Sequence, residues 1–225
     1  ADNEGDVLVF RPGRREIDQA RAVLVDIEAD VLPLHGELSL ADQHAALAAA
    51  ARGNRRIVLA TNVAESSLTL PGIRVVIDAG LAREPRFDAN SGFSRLQTIN
   101  ISQASADQRA GRAGRLGPGV AYRLWPQSRR LDPSRTAEIT QVELSQLVLE
   151  LKAWGSDQLD WLDAPPAGAS AQARELLIAL GALDPDAAIN AFGRQLLSFG
   201  AHPRLAAAVL RADKQRRSLA CDLVS

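Results

Sequence analysis

The densest chemistry in this sequence lies in Gln108-Arg109-Ala110-Gly111-Arg112-Ala113-Gly114-Arg115. In a helix near 104–115, Gln108, Arg112 and Arg115 fall at i, i+4 and i+7 and share one face, with Arg109 pointing about 100° away. Two guanidinium groups on one face repel unless an anion lies between them, and their planar forks suit phosphate oxygens. Glycine inside a helix costs up to about 1 kcal/mol, so Gly111 and Gly114 require an offsetting gain. Paired arginines over a phosphate provide that gain. A merely solvated arginine face would need no glycine.

The charge distribution points the same way. The chain has 225 residues, 26 basic and 27 acidic, and only Lys152 and Lys214 of the basic ones are lysine. Residues 83–135 hold ten arginines against four acids, whereas 138–186 hold two basic residues against nine acids. A nearly neutral protein with one strongly basic segment suggests a local anion site rather than a surface coating nucleic acid. One cysteine, Cys221, excludes a disulfide framework and a cysteine metal cluster. Three scattered histidines without HExxH spacing give no metal site, so none is assigned. No apolar run approaches the roughly 18 residues of a membrane helix, and residues 1–6 have no leader-like stretch. The expected location is cytoplasmic, with no membrane partner.

The elements that must position these residues alternate. Val7–Phe10, Val31–Leu34, Arg56–Ala60, Ile73–Asp78 and a last run at Val120–Leu124 read as strands. Helices are expected over 14–29, with Ile17, Ala20, Val23, Leu24 and Ile27 at helical spacing, over 40–52 behind Ser39 as N-cap, and near 104–115. The expected fold is therefore α/β, a parallel sheet with helices on both faces. Ligands of such sheets sit at the carboxyl ends of the strands, here residues 11–13, 35–37, 61–67 and 79–83. Beyond Trp125-Pro126 the character turns helical. Helices are expected over 141–154, with Leu144, Leu147, Val148, Leu151 and Trp154 on one stripe, over 170–181 with Gly181 as C-cap, and over 193–199, with a wing at Ala188–Asn190. A final helix is expected from Pro203 toward Ser225, its stripe of Leu205, Val209 and Leu210 left uncovered.

The segment from 83 to 101 is too long for an ordinary connection and reads as a β-hairpin turning at 88–92. Arg83, Arg86 and Arg95 supply charge for phosphates, and Phe87 and Phe93 near the tip suit stacking on bases. The alternative is a structural flap with the two phenylalanines as packing contacts.

The chain resembles a known family. Gln108–Arg115 is similar to the sixth motif of superfamily 2 helicases, in the Ala-Gly-Arg-Ala-Gly-Arg form of the DEAH-box branch. Leu8-Val9-Phe10-Arg11-Pro12-Gly13 with Glu16-Ile17 resembles motif IV, and Leu32-Pro33-Leu34-His35-Gly36 with Gln43 resembles the motif that follows. Ala60-Thr61-Asn62-Val63-Ala64-Glu65-Ser66-Ser67-Leu68-Thr69 resembles motif V. Val148–Gly155 and Leu180–Asp184 look like that family's winged-helix domain. Arg11–Ile17 and Arg83-x-x-Arg86-Phe87-Asp88 look most like its bacterial HrpB-type members.

The resemblance implies a second RecA-like domain at 1–128 with the hairpin at about 83–101, a winged helix at 129–200, and the truncated start of a helical bundle at 201–225. It implies that Arg112 and Arg115 are arginine fingers on the γ-phosphate and that Gln108 orients the attacking water. Ser67 and Thr69 would lie near the nucleotide, and Arg109 would be structural. Arg11, Gly13, Gly36, Thr61 and Asn62 would contact the nucleic-acid backbone, with Arg86 and Phe93 acting from the hairpin. Leu47 stands where many relatives stack an aromatic residue on the base, and Pro71 where they often carry an acid, so use of any NTP is implied. No GxxxxGK[ST] and no Asp-Glu-Ala-His occur, so the phosphate loop and the magnesium ligands for ATP would come from a first RecA-like domain. The expected function is the carboxyl-side half of an ATP-dependent 3′-to-5′ helicase motor acting on single-stranded nucleic acid, RNA favoured, and inactive alone. The alternatives are a non-catalytic nucleic-acid-binding module and a protein-interaction module derived from a helicase.

Overall fold

Five short apolar runs pair side by side because each is too short for a helix and too apolar to leave in water. In the computed structural model, which describes residues 4–48, 54–66, 69–88, 90–156, 159–213 and 216–222, they form one parallel sheet. Its strands are β1 (Asp6–Phe10), β2 (Asp30–Leu34), β3 (Arg56–Ala60), β4 (Ile73–Asp78) and β7 (Val120–Arg123), in the order β2-β3-β1-β4-β7. The described residues divide into two compact units: Ala1–Glu84 with Leu96–Arg135, and Pro85–Arg95 with Thr136–Ser225. The chain crosses between them within the hairpin of β5 (Leu81–Asp88) and β6 (Phe93–Asn100), which pair with each other.

In the first unit, alternate residues of the sheet feed two cores. Leu8, Phe10, Val58, Ala60 and Val76 pack with Ala46 of α2 (Leu40–Leu47) and with Ala113. Val7, Ile57, Leu59 and Val75 face Ile17 of α1 (Arg14–Val23). Helices thus cover both faces, as the alternation of strands and helices requires. Pro33 lies on β2, an edge strand, where its missing N–H costs no ladder bond.

Both helices are shorter than expected. α1 stops at Val23, which is 84% exposed, and Leu24 closes the last turn by donating to the carbonyls of Ala20 and Arg21. Val23, Val25 and Ile27 are β-branched and weak helix formers, and the last two fall in the turn before β2. α2 begins as expected, Ser39 Oγ accepting from the Asp42 N–H at 3.1 Å, and ends at Leu47; 49–52 of the expected span lie outside the described residues. Arg56 explains the early end. Its guanidinium donates to the carbonyls of Ala46 (3.1 Å) and Ala48, and Ala48 is extended.

Arg56 is also the clamp of the sheet's amino edge. Buried to 2% exposure, it pairs through Nη2 with Asp6 at 2.8 Å, donates its own backbone N–H to Asp6 at 3.0 Å, and reaches the carbonyl of Pro71 at 2.6 Å. Thus β1, β3, the end of α2 and the entry to β4 share one guanidinium.

The second unit packs α4 (Ser145–Trp154), α5 (Ala167–Ala179), α6 (Ala191–Phe199) and α7 (Pro203–Arg211) around Leu144, Val148, Leu149, Leu177 and Leu196. α4 starts four residues later than expected, since Glu138–Thr140 form a separate 3-10 turn. Ser145, Val148 and Leu149 set its buried face, and at 100° per residue Trp154 falls on the opposite side, 78% exposed. α5 runs three residues earlier than expected, and Gly181 follows it at φ +66. Leu183 and Ile189 form an isolated antiparallel bridge across the Asp184–Ala188 turn, where the extended segment was expected. Gly193 is fixed by closeness: a Cβ there would meet the Ala182 carbonyl oxygen at 2.2 Å. The single helix expected beyond 203 is instead α7 and a separate α8 (Arg217–Asp222). Of the stripe expected to lie uncovered, Val209 is buried, Leu210 lies against the core and Leu205 is half-buried, with Ala206 and Ala207 buried beside them. No helix among the described residues is long and apolar enough to cross a membrane.

Replacing Arg56 by Ala leaves the Asp6 carboxylate buried without its cation. We expect a loss of about 3–5 kcal/mol of stability in urea unfolding, the scale of a broken buried pair. A change below about 1 kcal/mol would contradict the clamp.

Candidate functional site at the carboxyl edge of the sheet

β3, β1 and β4 are neighbours, so the residues following them share one edge. Thr61 is tied there by its N–H to the Leu34 carbonyl (3.1 Å), and Arg11 by its N–H to the Ala60 carbonyl (2.8 Å). The order of the strands therefore sets Gly36, Thr61-Asn62 and Arg11 side by side. Gly36 and Asn62 are exposed, and the space around Gly36 is open. Thr61 precedes a 3-10 turn, Asn62–Ala64, without capping it through its side chain. Arg11 is half-buried, its Nε sealed from solvent and without an acceptor among the described residues. Gly13 differs from the rest. It is buried, and a Cβ there would meet the Arg83 guanidinium at 2.8 Å, which pairs with Glu16 at 3.2 Å. Its smallness serves packing of Arg83.

The arginine-rich segment begins on α3 (Gln103–Ala110), capped by Ser102 Oγ, which accepts from the Ser105 N–H at 3.1 Å. The helix ends at Ala110, so the i, i+4, i+7 face expected for Gln108, Arg112 and Arg115 does not form. Tight i→i+3 turns follow instead: Arg112 N–H to Arg109 O (3.1 Å), Ala113 to Ala110 (3.1 Å) and Gly114 to Gly111 (3.3 Å). The two glycines therefore end the helix rather than strain it, and buried Ala113 anchors the turns to the core. Gln108 and Arg115 are exposed, whereas Arg112 is 4% exposed. Its guanidinium donates to the Glu65 carbonyl, from Nε at 3.2 Å and from Nη2. Burial, then the neighbouring Arg115, pull the Arg112 pKa below the usual arginine value, against a smaller opposing pull from Glu65. A buried guanidinium with a second one beside it is a place that favours an anion.

Arg109 is different again. At 1% exposure it pairs with Asp78 (Nη1–Oδ1, 2.9 Å) and Glu65 (Nε–Oε2, 3.0 Å), donates to the Leu81 carbonyl at 3.2 Å, and lies 4.7 Å over the Phe10 ring. Sequence reasoning set Arg109 off the reactive face but missed Glu65 and Asp78. The available signal was an acid closing a buried β run at Ile77-Asp78. Thr69 is exposed, and Ser67 lies outside the described residues.

Arg86 and Phe93 belong to the second unit. Arg86 is half-buried with its Nε sealed and unpartnered. Phe93 packs its ring on His202 (centroids 4.7 Å apart), and the Arg204 guanidinium lies 6.0 Å from the ring centroid. Ser94 Oγ accepts from the Glu143 N–H at 2.9 Å, and the Phe87 N–H donates to the Gln141 carbonyl at 2.7 Å. The hairpin tip is therefore laced to the segment before α4 and to the start of α7. His202 Nδ1 accepts from the Arg204 N–H, so Nε2 carries the proton that reaches Glu143 at 3.0 Å.

A RecA-like sheet ending in an arginine-rich turn defines the class. Residues 1–117 match the helicase conserved C-terminal domain, and the chain belongs to that family. It is similar to the ATP-dependent RNA helicase HrpB of Escherichia coli (strain K12), 46% identical over 216 residues, covering 92% of this chain and 27% of that protein. It is also 38% identical over 220 residues to the pre-mRNA-splicing factor ATP-dependent RNA helicase prp22 of Schizosaccharomyces pombe, covering 91% of this chain and 19% of that protein. The structure is similar to the crystal structure of the Escherichia coli DEAH/RHA helicase HrpB, with TM-score 0.87 and 42% identity over 98% of this chain and 29% of that one. The resemblance to the HrpB type thus holds in sequence and in fold. The chain spans about a quarter of the length of these HrpB relatives.

The lacing of the hairpin tip has a pH signature. Burial pushes the Glu143 carboxyl up, but hydrogen bonds from His202 and Ser145 outweigh it and hold its pKa below the usual carboxylate value. A depressed folded pKa gives stability that is present above the unfolded value, about 4.3, and lost as pH falls through the folded value. Glu143→Gln should therefore lower stability at pH 7, with the gap to the parent closing below about pH 4. A gap that stays constant over that range in thermal melts would contradict this.

Proposed function

We propose that this chain is the carboxyl-side half of the motor of an ATP-dependent 3′-to-5′ helicase that acts on single-stranded nucleic acid, RNA above DNA. The observation that carries the reading is buried Arg112 beside exposed Arg115 on the tight turns that follow α3, at the sheet edge that also presents Arg11, Thr61 and Asn62. Residues 1–128 act as the second RecA-like domain, 129–200 as a winged helix and 201–225 as the start of a helical bundle. Arg112 and Arg115 neutralise charge on the γ-phosphate, and exposed Gln108 orients the attacking water. Thr69 and Ser67 approach the nucleotide. Asn62, Thr61, Arg11 and Gly36 hold the nucleic-acid backbone, with Arg86 and Phe93 contributing from the hairpin. Gly13 enters only by shaping the loop.

ATP and its Mg2+ need a phosphate cradle and carboxylate ligands that this sequence does not contain. The donors present here fit the outer face of a triphosphate and not the metal, so both would be held by a first RecA-like domain. What this half supplies is positive charge in the right place, coupled to a grip on the strand. Helicase relatives named for RNA support RNA, and cytoplasmic action fits the same reading.

Arg115 offers the cleanest test, because its exposed side chain can be removed without opening the core. In the full-length protein Arg115→Ala should lower ATP turnover roughly 10³-fold, with nucleic-acid binding in the absence of nucleotide little changed. In the same experiment the 225-residue chain alone should show no turnover. Binding that collapses while turnover per bound complex survives would overturn the role, as would robust turnover by the chain alone. Hairpin-tip variants, residues 88–92 shortened and Phe93→Ala, should lose duplex unwinding while keeping nucleic-acid-stimulated turnover. Unwinding left intact would reduce the hairpin to a structural flap.

A further inference from the structure

The turn that presents Thr61 and Asn62 and the arginine that reaches for phosphate are joined at a single residue. Glu65 follows the 3-10 turn Asn62–Ala64, and its N–H donates to the Asn62 carbonyl at 2.9 Å. Its own carbonyl accepts from the Arg112 guanidinium. Its carboxylate accepts from Arg109 Nε at 3.0 Å, and Arg109 is the residue from which the turn carrying Arg112 departs. Glu65 thus holds Arg112 twice over, directly through the backbone and indirectly through Arg109.

We infer that Glu65 is a positioning residue for hydrolysis, the joint through which a strand gripped at Thr61 and Asn62 sets the place of Arg112. This rests on the role proposed above for Arg112 and Arg115. The geometry favours transmission because the linkage is short and stiff. Ala64 is fully buried between the two ends, its N–H closing on the Thr61 carbonyl at 3.2 Å, so the turn moves as a piece. Arg112 is not waiting in open solvent. Its Nε and Nη2 rest on the Glu65 carbonyl, which fixes where the guanidinium sits, whereas Arg115 is exposed. A shift of the turn changes how firmly the carbonyl holds Arg112. Were Glu65 present only to neutralise Arg109, Asp78 at 2.9 Å already provides a carboxylate, and nothing would require the carbonyl of that same residue to carry the second arginine.

The test uses the full-length protein with single-stranded RNA as the probe and Glu65→Gln as the variant. The readouts are ATP turnover with and without RNA, KM for ATP, RNA affinity and the melting temperature. The ratio of RNA-stimulated to unstimulated turnover should fall about tenfold or more, with KM for ATP and RNA affinity each within about threefold of the parent. Glu65→Asp keeps the charge but shortens the reach, and it should restore part of that ratio. It also carries the test alone if Glu65→Gln does not fold, the ratio then being expected below the parent's. A lowered melting temperature with the parent's ratio would mean a structural acid only and would overturn the inference. The Arg115→Ala result separates the two levels. If that variant keeps its turnover, the proposed function fails. If it loses turnover while Glu65→Gln keeps its stimulation, only the joint fails.

Discussion

A charged side chain sealed from water must be neutralised where it sits, and Arg109 imposes that demand on the first unit. At 1% exposure it needs acceptors for its donors, and it finds them on Asp78, Glu65 and Leu81, which lie 31, 44 and 28 residues away in sequence. Removing one partner of such a pair costs about 3–5 kcal/mol, far more than an exposed ion pair contributes. Three segments without local reason to meet are held together by that penalty. They are the end of β4, the turn after β3, and the helix end that launches Arg112 and Arg115. The site at the carboxyl edge is a consequence of this arrangement rather than an addition to it.

The opposite edge is built on the same principle for a different end. Arg56 gathers Asp6, α2 and Pro71 around one buried guanidinium, and its acceptors are mostly carbonyls with no route to a ligand. At the amino edge the buried arginine closes the structure. At the carboxyl edge it leaves Arg115 exposed beside the buried Arg112. The sheet thus separates stability from chemistry along the length of its strands, as parallel α/β sheets do in general.

What could be read from the residues alone follows the range of the forces involved. The five strands were legible because apolar β-branched runs of that length have one comfortable home. Ser39 as a cap was legible because capping is local. The ends of α4 at Trp154 and α6 at Phe199 were legible too, but those of α1, α2 and α3 were not. α2 stops where Arg56, eight residues beyond Ala48 in sequence, takes its last carbonyls, and α3 gives way to tight turns through Gly111 and Gly114. The long final helix read beyond Pro203 breaks at an extended Ala212, and Trp154 turned outward once Ser145, Val148 and Leu149 fixed the buried face of α4. Arginine types and spacing exposed Arg112 and Arg115 as a pair, yet Glu65 and Asp78 stayed hidden, because an acid reveals its role only when its distant cation is in place.

In this structure Arg109 acts as one unit with its carboxylate partners Glu65 and Asp78. A double-mutant cycle on folding stability tests it most directly, with Arg109→Met, Glu65→Gln and the pair measured by urea unfolding. If the groups are coupled, the double variant should be more stable than the sum of the single losses implies, by about 0.5–3 kcal/mol. Losses that add within about 0.5 kcal/mol would show the two side chains to be independent and would contradict the account.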